Sequence, residues 1–137
     1  MTIKEFFKND RYAVFSGIEL LAVEPGKALA KMDICDMHLN AGNVVQGGAI
    51  FTLADLAFAA AVNAYGNLAM SVETSIRYFK GVGNGTLFAE AKAVHVHKKL
   101  ATFEVHVTNQ AQELIALFTA TAFRKELSLP FVENAGY

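Results

Sequence analysis

Residues 38–59 read HLNAGNVVQGGAIFTLADLAFA, so a polar loop ends at Gly47-Gly48 and an apolar run follows. Residues 49–63 are rich in Ala, Leu and Phe and are apolar on every side, which is the pattern of a helix buried all round. The run is shorter than the ~20 residues that a membrane span needs, and Asp55 lies in its middle. We therefore predict a buried core helix over residues 49–63.

Strand-like patterns flank this helix on both sides. Alternation of apolar and polar residues indicates strands, and a Pro-Gly turn joins the first two into a hairpin. The predicted strands cover residues 18–23, 28–34, 69–79, 86–97, 101–109 and 113–124. Residues 3–8 are predicted as a short amphipathic helix. Because a helix that is apolar all round needs cover on more than one side, we predict an α+β fold with a strongly curved antiparallel sheet.

The composition narrows the class of protein. The chain has 137 residues, of which 53% are hydrophobic, and a formal net charge of −1. We expect one domain over residues 1–137 with a real core. The near-neutral charge argues against nucleic-acid and membrane-surface partners. The sequence begins without a secretory signal pattern and has a single cysteine, which predicts a reducing, cytoplasmic setting without disulfides.

Asp55 is the strongest candidate for chemistry. It is the only Asp, Glu, Lys or Arg between Asp36 and Glu73. An unpaired carboxylate in apolar surroundings costs free energy, so we expect Asp55 to be paired, at an interface or functional. The alternative is a purely structural role, in which Asp55 accepts a hydrogen bond that fixes the packing.

Gly47 and Gly48 lie where the predicted helix begins. Free N–H groups at a helix N-terminus suit an oxyanion, although two glycines also allow a tight entry into a helix. Gly47 and Asp55 are eight residues apart, which is roughly 12 Å along a helix. One substrate carbonyl does not easily meet both in one subunit. If the two form a site, we expect a two-fold dimer with two composite sites.

Other polar residues near this junction allow two interpretations each. The Asn40 amide can donate to a carbonyl or orient a water, or it can stabilise a turn. Ser71 can hydrogen-bond a carboxylate, or it is simply a serine near the start of a strand. His95, His97 and His106 lack the compact set of partners typical of a metal site, so we predict no metal. Cys35 has no reactive motif around it and is predicted to be a small core residue.

The stretch 38–59, followed by SVETSIRY at residues 71–78, resembles the signature of the hotdog-fold thioesterases, in particular the PaaI-like branch of the phenylacetate pathway. The pattern in that branch is Asn, then His-Gly-Gly, then Leu-Ala-Asp-x-Ala-Phe-Ala along a central helix. The order of predicted elements is similar over nearly the whole chain. The spacing from Asn to Gly-Gly to Asp is the specific part of the resemblance.

The resemblance implies a hotdog fold, a homodimer that pairs into a homotetramer, and acyl-coenzyme A thioesters as substrates. No cofactor is implied, because coenzyme A is part of the substrate. Asp55 would be the general base or nucleophile, the Gly47 N–H would polarise the thioester carbonyl, and Asn40 and Ser71 would position the carbonyl or the attacking water. The residues assigned to substrate binding are Gln46, Gly48 and His38.

One position departs from the pattern, because Gln46 stands where the branch usually has His. Gln can donate a hydrogen bond but does not titrate near neutral pH. The departure favours a second hypothesis, a non-catalytic hotdog protein that binds acyl-coenzyme A or an acyl carrier.

Two other functions are less well supported by the sequence. A hydratase or dehydratase usually needs a His beside the carboxylate, and His38 is the only nearby candidate. A purely structural dimer would leave Asp55 without an explanation.

Overall fold

The computed structural model describes residues 1–131, and the predicted domain end at residue 137 lies outside this range. A 3-10 turn at Asp36–His38 precedes the long helix. The helices and strands are α1 (Ile3–Phe7), α2 (Arg11–Phe15), β1 (Ile18–Glu24), β2 (Lys27–Asp33), α3 (Gly47–Asn63), β3 (Asn67–Tyr78), β4 (Thr86–Val96), β5 (Leu100–Asn109) and β6 (Leu114–Ser128).

The six strands form one antiparallel sheet in the order β1-β2-β4-β5-β6-β3. Helix α3 contacts all six strands, which is the arrangement of the hotdog fold. The predicted α+β class is therefore confirmed. None of the helices within residues 1–131 is long and apolar enough to cross a membrane.

Small residues let the helix lie close to the sheet. Alanines on the inner sheet face are fully or almost fully buried, including Ala28, Ala30, Ala89, Ala91, Ala116 and Ala120. The gaps that they leave are filled by aromatic rings, since Phe58 of α3 packs edge-on against Phe103 of β5, with ring centroids 5.6 Å apart. This packing places the axis of α3 firmly against the sheet and fixes the position of Asp55 on it.

The prediction that α3 is buried all round is wrong for one stripe. The residues that remain partly or fully exposed along that stripe are Gly48, Thr52, Asp55 and Ala59. Their spacing of three and four residues places them on one face of the helix. The stripe is lined mainly by small side chains, so a second element can approach this face closely.

Among the described strands, β3 lies at an edge of the sheet and pairs with β6 alone. Its register shifts between Ser71 and Glu73. Two large apolar side chains, Met70 and Val72, are 52% and 61% exposed on it. The start of this strand is tied to the end of α3, because the Oδ1 atom of the buried Asn63 accepts a 2.8 Å hydrogen bond from the Ala69 N–H.

Two further findings differ from the sequence predictions. Helix α2, five residues long, was not predicted; its N-cap is Asp10, whose Oδ1 accepts a hydrogen bond from the Ala13 N–H at 3.1 Å. Cys35 was predicted to be a core residue, and that prediction is wrong because the side chain is exposed. Cys35 lies after β2 has ended, where the chain turns outward into the 3-10 turn.

Candidate active site

The loop that precedes α3 leaves two backbone donors free at the start of the helix. Gln46 is the N-cap residue and its side chain makes no capping hydrogen bond. Within residues 1–131, the N–H groups of Gly47 and Gly48 have no acceptor. Free N–H groups at the positive end of a 17-residue helix form a site for a partial or full negative charge.

The two glycines allow close approach by two side chains. A Cβ atom at Gly48 would lie 2.6 Å from Oε1 of Gln46. A Cβ atom at Gly47 would lie 3.0 Å from the ring of Tyr78. Neither glycine has a positive φ, so neither is required by backbone conformation. At Gly47 the absence of a side chain makes room for the Tyr78 ring, whereas at Gly48 the nearby atom is the end of a flexible side chain that can move.

Tyr78 is a residue that the sequence analysis did not single out. Its hydroxyl donates a 2.8 Å hydrogen bond to the Gly47 carbonyl oxygen. Burial raises the pKa of this phenol, so the hydroxyl keeps its proton and remains a donor. The sequence places a glycine at the start of a helix and an aromatic residue at the end of the next strand. Without a structure, this combination is only a weak indication that the two residues are in contact.

The side chain of Asn40 stabilises a turn, which was one of its two predicted roles. Its Oδ1 accepts from the Gly42 N–H at 2.8 Å and from the Val44 N–H at 3.3 Å. The amide nitrogen has no acceptor in the described part of the chain. The turn therefore fixes the side chain and leaves its two N–H donors available, which makes the two predicted roles compatible.

His38 holds the loop together from inside. It is only 3% exposed, its Nε2 donates to the Ser16 carbonyl oxygen at 2.6 Å, and its Nδ1 accepts from the Cys35 N–H at 3.0 Å. Its own carbonyl accepts the Gln46 N–H at 2.8 Å. Both ring nitrogens therefore have protein partners, and the contact to Gln46 is made by the backbone of His38 and not by its ring. The predicted role of His38 in substrate binding stays a prediction.

A cavity of about 360 Å³ opens beside the loop and the helix start. One part of its wall comes from the loop and α3, through Asn40, Gln46 and Ala49. Another part comes from apolar side chains on α2 and the 3-10 turn. These side chains are Tyr12, Phe15 and Met37.

Asp55 lies two turns further along α3, half-buried. Its carboxylate has no hydrogen bond or ion pair to any residue from 1 to 131. Burial, and to a lesser extent repulsion by Asp10, raises the pKa of the carboxyl above its usual value. An ionised carboxylate with few partners is a stronger base and nucleophile than a solvated one.

The remaining predicted residues lie apart within one chain. Ser71 is exposed on the edge strand β3 and makes no hydrogen bond to Asp55. Gly47 and Asp55 lie on the same helix about 12 Å apart along its axis.

The histidines do not form a metal site with other ligands in the described part of the chain. His95 and His97 stack on each other with ring centroids 4.1 Å apart, and no group of three metal-ligating side chains is found among the described residues.

Comparisons with known proteins identify the class of protein to which this fold belongs. The Thioesterase superfamily matches residues 42–116. A protein of Archaeoglobus fulgidus named "Putative esterase" is 42% identical over 130 residues, which cover 93% of this chain and 84% of that protein. The acyl-coenzyme A thioesterase PaaI of Escherichia coli is 32% identical over 119 residues, covering 86% of this chain and 85% of PaaI.

Solved structures give the same result. The structure of Escherichia coli PaaI, from the phenylacetic acid degradation operon, superposes with a TM-score of 0.87 at 30% identity over 90% of this chain and 91% of PaaI. A Streptococcus mutans protein bound to acetyl CoA superposes with a TM-score of 0.79 at 28% identity, over 84% and 94% of the two chains. The chain belongs to the thioesterase superfamily, and among these relatives it is a close match to PaaI.

Proposed function

We propose that this protein is an acyl-CoA thioesterase that hydrolyses an acyl- or aryl-acyl-CoA thioester to the free acid and CoA. The observation that carries the proposal is the pair of free N–H groups at Gly47 and Gly48, on the same helix as an unpaired carboxylate of raised pKa at Asp55. An oxyanion site together with a base is what hydrolysis of an activated acyl group needs. The relationship to PaaI supports the choice of CoA thioesters.

The proposed site is shared between two subunits of a homodimer. Two features support this arrangement: the distance between Gly47 and Asp55, and the exposed stripe of small residues on α3. If two such helices lie antiparallel about a two-fold axis, Gly47 of one subunit approaches Asp55 of the other. The unpaired edge of β3 gives the two sheets a place to join. Pairing of two dimers would give the tetramer.

The proposed reaction begins with the thioester oxygen accepting hydrogen bonds from the Gly47 N–H and the Asn40 amide. Asp55 of the other subunit takes a proton from a water held near Ser71. The water oxygen forms a bond to the acyl carbon, the carbon–sulfur bond breaks, and CoA leaves as a thiolate that regains the proton. In the alternative route, Asp55 itself attacks, and water then hydrolyses the mixed anhydride. Gln46 and Gly48 would line the path of the substrate.

The test is release of free thiol from a panel of aryl-, short- and long-chain acyl-CoA substrates, with Asp55→Asn beside the wild type. We expect turnover by the wild type and its collapse in the variant, while circular dichroism and the oligomeric mass stay unchanged. An Asp55→Asn variant that hydrolyses at the wild-type rate would contradict the assignment. Turnover that needs an added metal would contradict it as well.

A second function is favoured by one residue. Gln46 replaces the His that is usual in the PaaI-like branch, and its side chain is exposed and does not cap α3. If that His is needed for turnover, the protein binds acyl-CoA without hydrolysing it. Binding of acyl-CoA without thiol release, followed by release after Gln46→His, would support this second function.

A further inference from the structure

Large apolar side chains are clustered at the cavity beside the helix start. Tyr12, Phe15 and Met37 are 69%, 78% and 55% exposed, and all three line that cavity. Exposed apolar groups that stand alone are ordinary, but a contiguous group on the wall of a cavity indicates a binding surface. Two aromatic rings and a flexible thioether are well suited to enclosing an apolar ligand.

The cavity has two chemically different ends. The amides of Asn40 and Gln46 lie on the loop and at the N-cap of α3, beside the free N–H groups of Gly47 and Gly48. The α2 side offers carbon and aromatic surface, and no Asp, Glu, Lys or Arg is among the described residues that line this cavity. A mostly apolar cleft with a few polar groups at one end is the usual form of a small-molecule site.

Helix α2 is held against the loop that carries the polar end. Ser16, which follows α2 directly, accepts the 2.6 Å hydrogen bond from His38, and the carbonyl of His38 accepts the Gln46 N–H at 2.8 Å. The apolar wall and the N-cap of α3 are therefore joined through one buried residue, His38, by its ring on one side and its backbone carbonyl on the other. A ligand that contacts both ends meets a fixed spacing between them.

We propose that α2 and the 3-10 turn form the acyl-group pocket, in which Tyr12, Phe15 and Met37 contact the acyl chain while its carbonyl lies at the start of α3. The inference rests on the proposed function and specifies its substrate class. The pocket takes uncharged acyl groups, aliphatic or aromatic, and rejects acyl groups that end in a carboxylate. Burying a carboxylate against carbon without a cationic partner is costly, and this wall supplies no cation.

The test measures binding rather than turnover, so that it does not depend on catalysis. Isothermal titration gives the dissociation constants of CoA and of its S-ethyl, S-butyl, S-hexyl, S-(2-phenylethyl) and S-(3-carboxypropyl) thioethers. For the wild type we expect the affinity to rise by about fourfold for each buried methylene. The carboxypropyl compound should bind at least about tenfold more weakly than the butyl compound.

The variants are Phe15→Ala and Tyr12→Ala, with Val14→Ala as the matched control. Val14 lies on the same short helix and is 50% exposed, but it lines a different cavity. In Phe15→Ala and Tyr12→Ala we expect the affinity to depend much less on the acyl group, with binding of free CoA unchanged. Val14→Ala should retain the wild-type dependence.

Three outcomes would overturn the acyl-pocket proposal. One is an equal loss of affinity for CoA and for every thioether. Another is that Val14→Ala weakens the dependence of affinity on the acyl group as much as the two pocket variants do. The third is a loss of the oligomeric mass in Phe15→Ala, since the side chain would then belong to a subunit interface. If the wild type binds neither CoA nor any thioether, the proposed acyl-CoA function itself fails, and the pocket proposal fails with it.

Discussion

The hydroxyl of Tyr78 and the carbonyl oxygen of Gly47 are joined by a 2.8 Å hydrogen bond that spans 31 positions of the sequence. The same tyrosine ring fills the space beside Gly47, where a Cβ atom would lie only 3.0 Å away. The last residue of the edge strand β3 therefore fixes the first turn of α3. The Gly47 N–H, which is proposed to bind the thioester oxygen, is in that turn.

Removing the Tyr78 hydroxyl should lower catalysis without removing substrate binding. A typical hydrogen bond contributes about 0.5–1.5 kcal/mol, so we expect Tyr78→Phe to reduce kcat by about two- to tenfold with little change in KM. The measurement is steady-state thiol release. Tyr65→Phe is the control, because Tyr65 packs under Arg124 instead. An unchanged kcat in Tyr78→Phe, or an equal loss in the control, would argue against a positioning role.

Replacing Asp55 should separate activity from stability. General acid–base catalysis contributes about 10²–10⁴-fold, so we expect Asp55→Asn to lower kcat by that order.

Because the fold raises the pKa of Asp55, ionisation of Asp55 lowers the stability of the protein above the raised pKa, and this cost disappears as the pH falls through that pKa. Asp55→Asn should therefore unfold at a higher temperature than the wild type at pH 7, with a smaller difference in acid. A less stable variant at pH 7 would contradict this.

Asp10 should influence the pH dependence of the reaction. Its charge is the second cause of the raised pKa of Asp55, and its Oδ1 also caps α2. Asn preserves an N-cap, so Asp10→Asn removes the charge while keeping the helix. Since Asp55 acts in its ionised form, the acid limb of the kcat/KM profile should move to lower pH. A shift to higher pH would rule out a repulsive effect of Asp10.

A composite site makes a prediction about mixed dimers. Asp55→Asn and Asn40→Ala should each be nearly inactive alone, because each homodimer lacks one half of both sites. After subunit exchange, half of the dimers are mixed and each has one intact site, so about a quarter of the wild-type activity should return. Mixing either variant with itself is the control. If activity does not recover after verified exchange, both residues act within one subunit.

The buried His38 should matter more for folding than for substrate affinity. His38→Ala leaves the buried Ser16 carbonyl and the partly buried Cys35 N–H without partners, and an unsatisfied buried group costs about 1–3 kcal/mol. We expect a lower free energy of unfolding in urea and a KM within about twofold of the wild type. His106→Ala is the control, because His106 is exposed and pairs with Glu104. A large rise in KM at unchanged stability would instead support the predicted substrate-binding role.

Much of the fold could be predicted because hydrophobic patterning is local. The long helix was predicted over residues 49–63 and observed at Gly47–Asn63, and the predicted strands correspond to β1 to β6. The partner of β3 could not be predicted, because β3 pairs with β6 and not with the next strand in sequence. Helix α2 could not be predicted because five residues show too little periodicity, although Asp10 is a residue type that often caps the start of a helix.

The candidate site was predictable only in part. The types and spacing of Asn40, Gly47 and Asp55 stand out in the sequence, because each is unusual in its surroundings. Tyr78 and His38 act through contacts between distant positions, which no local pattern shows. Cys35 was predicted to be a core residue from its residue type alone. Its side chain is exposed because the chain turns outward after β2.

The strand order also has a consequence for how the protein is made. Ribosomes add β3 to the chain before β4, β5 and β6, yet among the strands within residues 1–131 it pairs with β6 alone. During synthesis the backbone N–H and C=O groups of β3 stay unpaired, beside the exposed side chains of Met70 and Val72, until β6 has emerged. Unpaired strand edges with apolar side chains are prone to aggregate. The nascent chain is therefore most prone to aggregate in the interval between the emergence of β3 and the emergence of β6 from the ribosome.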